Sequence, residues 1–165
     1  MKKLFTGFIG LFLSIFITAC TTQPESIEHF VGEISEQKLL TDYETFAKSY
    51  QSYELSAEQK IQVKSWPKEL AVEVYFGTWC PDSQREVPRL LKALKFNQQV
   101  KVSLLALNFK KADPKGLAKK AGITHTATFV VKLSGKEIGR IIEKPKTDLI
   151  ADINIMLLEQ NIGKN

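Results

Sequence analysis

The segment Gly77-Thr78-Trp79-Cys80-Pro81-Asp82-Ser83-Gln84-Arg85-Glu86-Val87-Pro88 places a cysteine where an apolar stretch hands over to a helix-prone one. Ahead of it, Leu70 to Phe76 is β-rich and reads as a strand. Behind it, Pro81 suits the first position of a helix, where its missing N–H has no intrahelical partner to lose. Cys80 then becomes the N-cap of a helix expected from about Pro81 to Phe96. A sulfur at that point faces unpaired backbone N–H groups and the positive end of the helix dipole, which favour thiolate. The turn is expected to be exposed. Ser83 lies one turn on, and its hydroxyl can donate to that thiolate. Asp82 opposes a second negative charge unless Arg85 or Arg89 neutralises it. Pro88 removes a donor from the helix interior and is expected to bend it.

Working outward, Val100 to Leu107 is a nearly continuous apolar run, expected of a strand covered on both faces. Asp113 and Pro114 suit the start of a further helix and Gly122 its C-terminal stop. Thr128 to Leu133 and Glu137 to Ile142 flank a Ser134-Gly135 turn and read as a hairpin. Thr147 or Asp148 caps a last helix whose Leu149, Ile153, Met156, Leu157 and Gln160 keep the helical period. Upstream, Thr41 with Glu44 and Ser56 with Gln59 each have capping-box spacing, the second helix ending before Pro67. The core order is therefore βαβαββα, an α/β mixed sheet with parallel first pairs and an antiparallel last hairpin.

With its motif and topology together, the stretch from about residue 66 to 160 resembles a thioredoxin-like domain. Trp79-Cys80-Pro81 ends the first core strand, Pro88 lies where thioredoxins place a helix-kinking proline, and Thr128-Phe129-Val130 opens a strand after a loop. The run from Trp79 to Pro88 is similar to that of bacterial thioredoxin-family proteins with a Cys-x-Asp-Ser site. The resemblance implies a mixed sheet sandwiched by helices, with residues 34–66 as a helical N-terminal extension and 67–165 as the thioredoxin-like domain. It further implies Cys80 and Ser83 as the catalytic pair, and Trp79, Pro81, Thr126 and Ala127 as the surface that meets a client. Trp79 can shield the sulfur, stack on a client or pack against the sheet edge. His125, near the loop facing Cys80, reads as a solvent-exposed histidine rather than a thiolate partner.

Two positions depart from that family. Ala127 stands where thioredoxins carry a cis-proline, and a cis bond to a non-proline residue costs about 2.5–4 kcal/mol, so a trans Thr126–Ala127 bond is expected. Val74 stands where thioredoxins bury an acid that assists proton transfer; Glu73 next to it should point to the opposite face of the strand.

The N-terminus carries a different signal. Lys2 and Lys3 precede an apolar run from Leu4 to Ile17 that is short for a membrane span, which needs about 20 residues. Ile17-Thr18-Ala19-Cys20 resembles the bacterial lipobox, which implies a signal peptide over 1–19, a lipid on Cys20 and a tether over 20–33. Several acyl chains on one residue hold a protein stably at a membrane. This places the chain outside the cytoplasm as an anchored lipoprotein, on the outer membrane facing the periplasm if the source is a diderm bacterium.

Lipidation consumes one of the two cysteines and leaves Cys80 as the single thiol. Without Lys2 and Lys3 the chain has 21 basic against 18 acidic residues, +3, which gives no case for nucleic acid. Lys110, Lys111, Lys115, Lys119 and Lys120 form a cluster that reads as a solvated face, or as one turned to anionic lipid or an acidic client. Isolated histidines and a lone thiol argue against a metal site, and no cofactor is expected. A single thiolate can attack a disulfide and form a mixed disulfide, but Ser83 cannot release the client. That suits thiol–disulfide exchange or isomerisation on client protein thiols or disulfides. The competing reading is a redox-inactive binding or scaffold module at the membrane. Oligomeric state is not legible in the sequence.

Overall fold

The structure, a computed structural model, describes residues 29–162. The stretch read as a signal peptide, Cys20 and most of the stretch read as a tether lie outside the described residues. Eleven elements follow one another: β1 (Gly32–Glu33), α1 (Glu36–Asp42), α2 (Glu44–Ser52), α3 (Ala57–Lys64), β2 (Leu70–Phe76), α4 (Pro81–Leu94), β3 (Lys101–Ala106), α5 (Leu117–Lys120), β4 (Thr128–Leu133), β5 (Lys136–Ile142) and α6 (Leu149–Ile162). The strands form one mixed sheet in the order β1-β3-β2-β4-β5. β2 and β3 are parallel, as expected for strands joined through a helix, and the other pairs are antiparallel.

Alternation along β2 builds two cores. Val72, Val74 and Phe76 join Leu90, Leu91, Phe129, Val131, Ile150 and Ile153 under α4 and α6. Tyr75 faces the other way, with Leu105, Leu107, Ala118, Ile123 and Val130. A side-chain period of two is enough to generate both faces from one strand. Glu73 shares the second face, where it pairs with Lys132 and accepts a hydrogen bond from the Tyr75 hydroxyl. Val74 is buried in the first core, so the strand carries no acid beneath α4.

α4 runs unbroken through the buried Pro88. The hairpin turns at Ser134 and Gly135, both with positive φ, the backbone that a two-residue connection between twisted strands demands. Asp148 caps α6 by accepting from the N–H groups of Ile150 and Ala151, and Ser56 with Gln59 forms the reciprocal box expected of it.

Four local expectations are corrected. Thr41 and Glu44 form no capping box: Ser35 caps α1, its hydroxyl accepting from Lys38 N, and Thr41 lies inside that helix. Gly32 and Glu33, within the stretch read as tether, pair with Ala106 and Leu105 as an edge strand. Pro114 is not the first residue of a helix. The Asp113 carboxylate instead holds the N–H groups of Lys115 and Ala118 across a turn, and α5 starts only after Gly116, at a left-handed φ of 67°. β3 is covered only in its second half, since Lys101, Val102 and Ser103 are exposed.

Candidate functional site

The site assembles at the C-terminal end of β2. Gly77 to Cys80 form a turn closed by Cys80 N donating to Gly77 O at 3.0 Å, and α4 begins with Gln84 N donating to Cys80 O at 2.9 Å. Cys80 is the N-cap of α4, with extended backbone at φ −87° and ψ 123°. A Cβ at Gly77 would lie 2.6 Å from Trp79 Cε2, so any other residue there would force the indole to shift.

Cys80 is buried rather than exposed, with 6% of its surface accessible. What covers it is the loop before β4. The Cys80 thiol donates to the carbonyl oxygen of Thr126 at 3.1 Å. The Thr126–Ala127 bond is cis, which corrects the trans expectation. Its surroundings hold the loop on both sides: Thr128 Oγ1 donates to His125 O at 2.8 Å, Glu143 N donates to Ala127 O at 2.6 Å, and Ala127 is fully buried. The loop therefore faces the sulfur from the position that a cis-proline loop would occupy, without the proline.

Ser83 is fully buried, and its Oγ accepts from Gly77 N at 3.2 Å. It ties the turn to the first turn of α4. Arg85 bridges Asp82 and Glu86 at 2.6 Å each, and Arg89 reaches Glu86 at 3.2 Å. The hydrogen bond to Glu86 raises the Arg85 pKa above its ordinary value; burial opposes it, and the hydrogen bond to Asp82 adds to the rise. Asp82 is thus neutralised by Arg85. Glu86, buried at 3% exposure, is a structural acid that the sequence did not reveal.

Trp79 stands half-buried at the rim. Its indole N–H donates to Leu107 O at 3.2 Å, and its ring stacks on Phe109 with centroids 4.5 Å apart. Lys111 Nζ sits 5.4 Å from the indole centroid. His29 meets Phe109 edge-on at 5.2 Å and shares a 3.2 Å hydrogen bond with Thr78 Oγ1. Phe109 itself is 61% exposed. His125 is exposed and bonded to Thr124 Oγ1 at 2.9 Å.

A family model described as Thioredoxin matches residues 28–148. The chain belongs to the thioredoxin family. The matched region takes in α1–α3 as well as the sheet, so this thioredoxin-family chain carries its first three helices within the family's span. Among curated proteins, no sequence matches. Among solved structures, an HIV epitope-scaffold is similar at a TM-score of 0.63 and 15% identity, covering 78% of this chain and 93% of its own. A protein of unknown function from Pseudomonas aeruginosa is similar at 0.57 and 16%, covering 79% and 82%. A Fasciola hepatica thioredoxin aligns at 0.45 and 23%, covering 60% and 89%. At their identities the first two likenesses speak for the fold alone.

Of the residues singled out in the sequence, Cys80, Ser83, Trp79, Pro81, Thr126 and Ala127 converge at one end of this thioredoxin fold. Cys20 lies outside the described residues. Sequence reasoning missed Phe109, His29 and Glu86. The first two reach the site from distant loops, and a carboxylate on a helix reads as solvated until packing shows otherwise.

Proposed function

We propose that this thioredoxin-family protein is a lipid-anchored extracytoplasmic exchange protein that works through one thiol, Cys80. The observation that carries this is the sulfur's position, at the N-cap of α4 against the Thr126 carbonyl, with Ser83 where a resolving thiol would lie. Cys80 is the only free cysteine among the described residues. The Cys80 thiolate attacks one sulfur of a client disulfide. That S–S bond breaks, a Cys80–client S–S bond forms, and the other client sulfur leaves as thiolate. A second client thiolate then attacks the client sulfur of the mixed disulfide, forming a new client disulfide and returning Cys80 as thiolate. The proton taken from the Cys80 thiol returns to it, and no net oxidant or reductant is used. Isomerisation is the reaction that this cycle suits.

A second reading is favoured by one specific observation. The thiol is nearly covered and satisfied as a donor to Thr126 O, as befits a sulfur retained in a binding or scaffold module. A scrambled-disulfide protein separates the readings. Recovery of its activity with the purified full chain, abolished by Cys80→Ala, is the outcome expected of exchange; equal recovery with both chains supports the scaffold.

A further inference from the structure

Both flanks of the Cys80 mouth carry cations without acidic partners. On one side, the loop after β3 places Lys110 beside Phe109 and Lys111 over Trp79. On the other, the loop after β5 is pinned to the site by Glu143 N donating to Ala127 O, and it carries exposed Lys144 and Lys146. Among the described residues none of these four ammonium groups has a carboxylate within ion-pair distance, whereas Lys115 is paired with Glu33. Of the acids nearby, Asp82 is taken by Arg85 and Glu86 by two arginines, Asp113, Asp148 and Asp152 hold backbone N–H groups of the adjoining turns, those of Lys146 and Thr147 among them, and Glu143 is exposed. Between the flanks lies the Trp79–Phe109 stack, with Phe109 largely open to solvent.

From this arrangement we infer that the mouth docks a client segment whose cysteine is flanked by acidic residues, with an apolar or aromatic side chain lying on Phe109. The inference rests on the exchange reading above and names its substrate class. The unpaired ammonium groups on these two loops attract carboxylates over about a Debye length, ~8–10 Å, and raise the encounter rate more than the affinity. The exposed aromatic face supplies contact area that is insensitive to salt.

The test uses the purified full chain and two probe peptides identical except for Asp/Glu or Lys/Arg flanks, each with an aromatic residue. Each peptide is made in a Ser form for binding by fluorescence anisotropy and as a Cys-linked disulfide dimer for reaction with Cys80. The acidic Ser probe should bind about tenfold more tightly than the basic one at low ionic strength, and the preference should collapse at high salt. Lys110→Glu with Lys144→Glu, both at exposed positions, should reverse it, and Phe109→Ala should weaken both probes alike. Equal binding of the two Ser probes, or a preference that survives the lysine changes, overturns the docking inference. So does lysine-dependent binding to phosphatidylglycerol vesicles without probe selectivity, which assigns the cations to lipid. Selective binding of the Ser probe with no reaction of the Cys dimer upholds the docking surface and instead removes the exchange reading.

Discussion

The Sγ of Cys80 and the carbonyl oxygen of Thr126 lie 3.1 Å apart, the thiol donating across the mouth of the site. Across 46 positions of sequence, only the family resemblance set Thr126 on the loop facing Cys80; the hydrogen bond itself left no local signal. The contact defines the resting state of the sulfur: covered, hydrogen-bonded and opposite the loop that a client strand would have to meet.

Ser83 ties the turn before α4 to the first turn of that helix. Removing its hydroxyl leaves the Gly77 N–H without its partner in a buried turn, which costs about 1–3 kcal/mol. Ser83→Ala should therefore lower the urea-unfolding midpoint by that equivalent. A midpoint unchanged from wild type contradicts the role.

Gly77→Ala should destabilise the chain by about 1–3 kcal/mol and release the Trp79–Phe109 stack, since its Cβ would overlap the indole at 2.6 Å. Increased acrylamide quenching of Trp79 fluorescence in a Trp66→Phe background checks this. Quenching as in the parent would show that the ring accommodates the methyl in place.

Fold and site were legible to different depths. β2, α4 and the hairpin were readable because apolar runs and turn residues are local signals, and Cys80 followed from Pro81 alone. β1 was not, because a two-residue edge strand leaves no pattern and exists only through its pairing with β3. The cis bond before Ala127 was missed because its sequence cue is proline, while here the loop is held by Thr128, Glu143 and its own burial. Phe109 reads as an ordinary loop residue until β3 delivers it beside Trp79.

Glu86 is the acid on which Arg85 and Arg89 converge, itself buried while the arginine side chains are 37% and 40% exposed. Loss of one partner in a fully buried pair costs about 3–5 kcal/mol; solvent screening of the arginines brings the expectation for Glu86→Ala down to about 1–3 kcal/mol. Urea unfolding measures it, and a loss below the experimental error would show that the cluster contributes nothing.

The turn before α5 should loosen in acid. Slight burial pushes the Asp113 carboxyl up, but N–H donors from Ala118, Leu117 and Lys115 outweigh it and hold the group below its ordinary value of 3.8. A depressed carboxyl contributes stability that is present above the unfolded value and lost as pH falls through the folded one. The stability gap between wild type and Asp113→Ala should thus be widest above pH 3.8 and shrink below it. A gap constant with pH in urea titrations contradicts the assignment.

On the proposed exchange reading, Cys80 reacts through mixed disulfides that no second thiol among the described residues resolves. Cells expressing wild type, Cys80→Ala or Ser83→Cys are quenched in acid, alkylated and run on non-reducing gels. Cys80-dependent adducts are expected in wild type without any trapping mutation, absent from Cys80→Ala and diminished in Ser83→Cys, where a neighbouring thiol can release the client. Identical patterns for wild type and Cys80→Ala would contradict the exchange reading and leave the scaffold reading in its place.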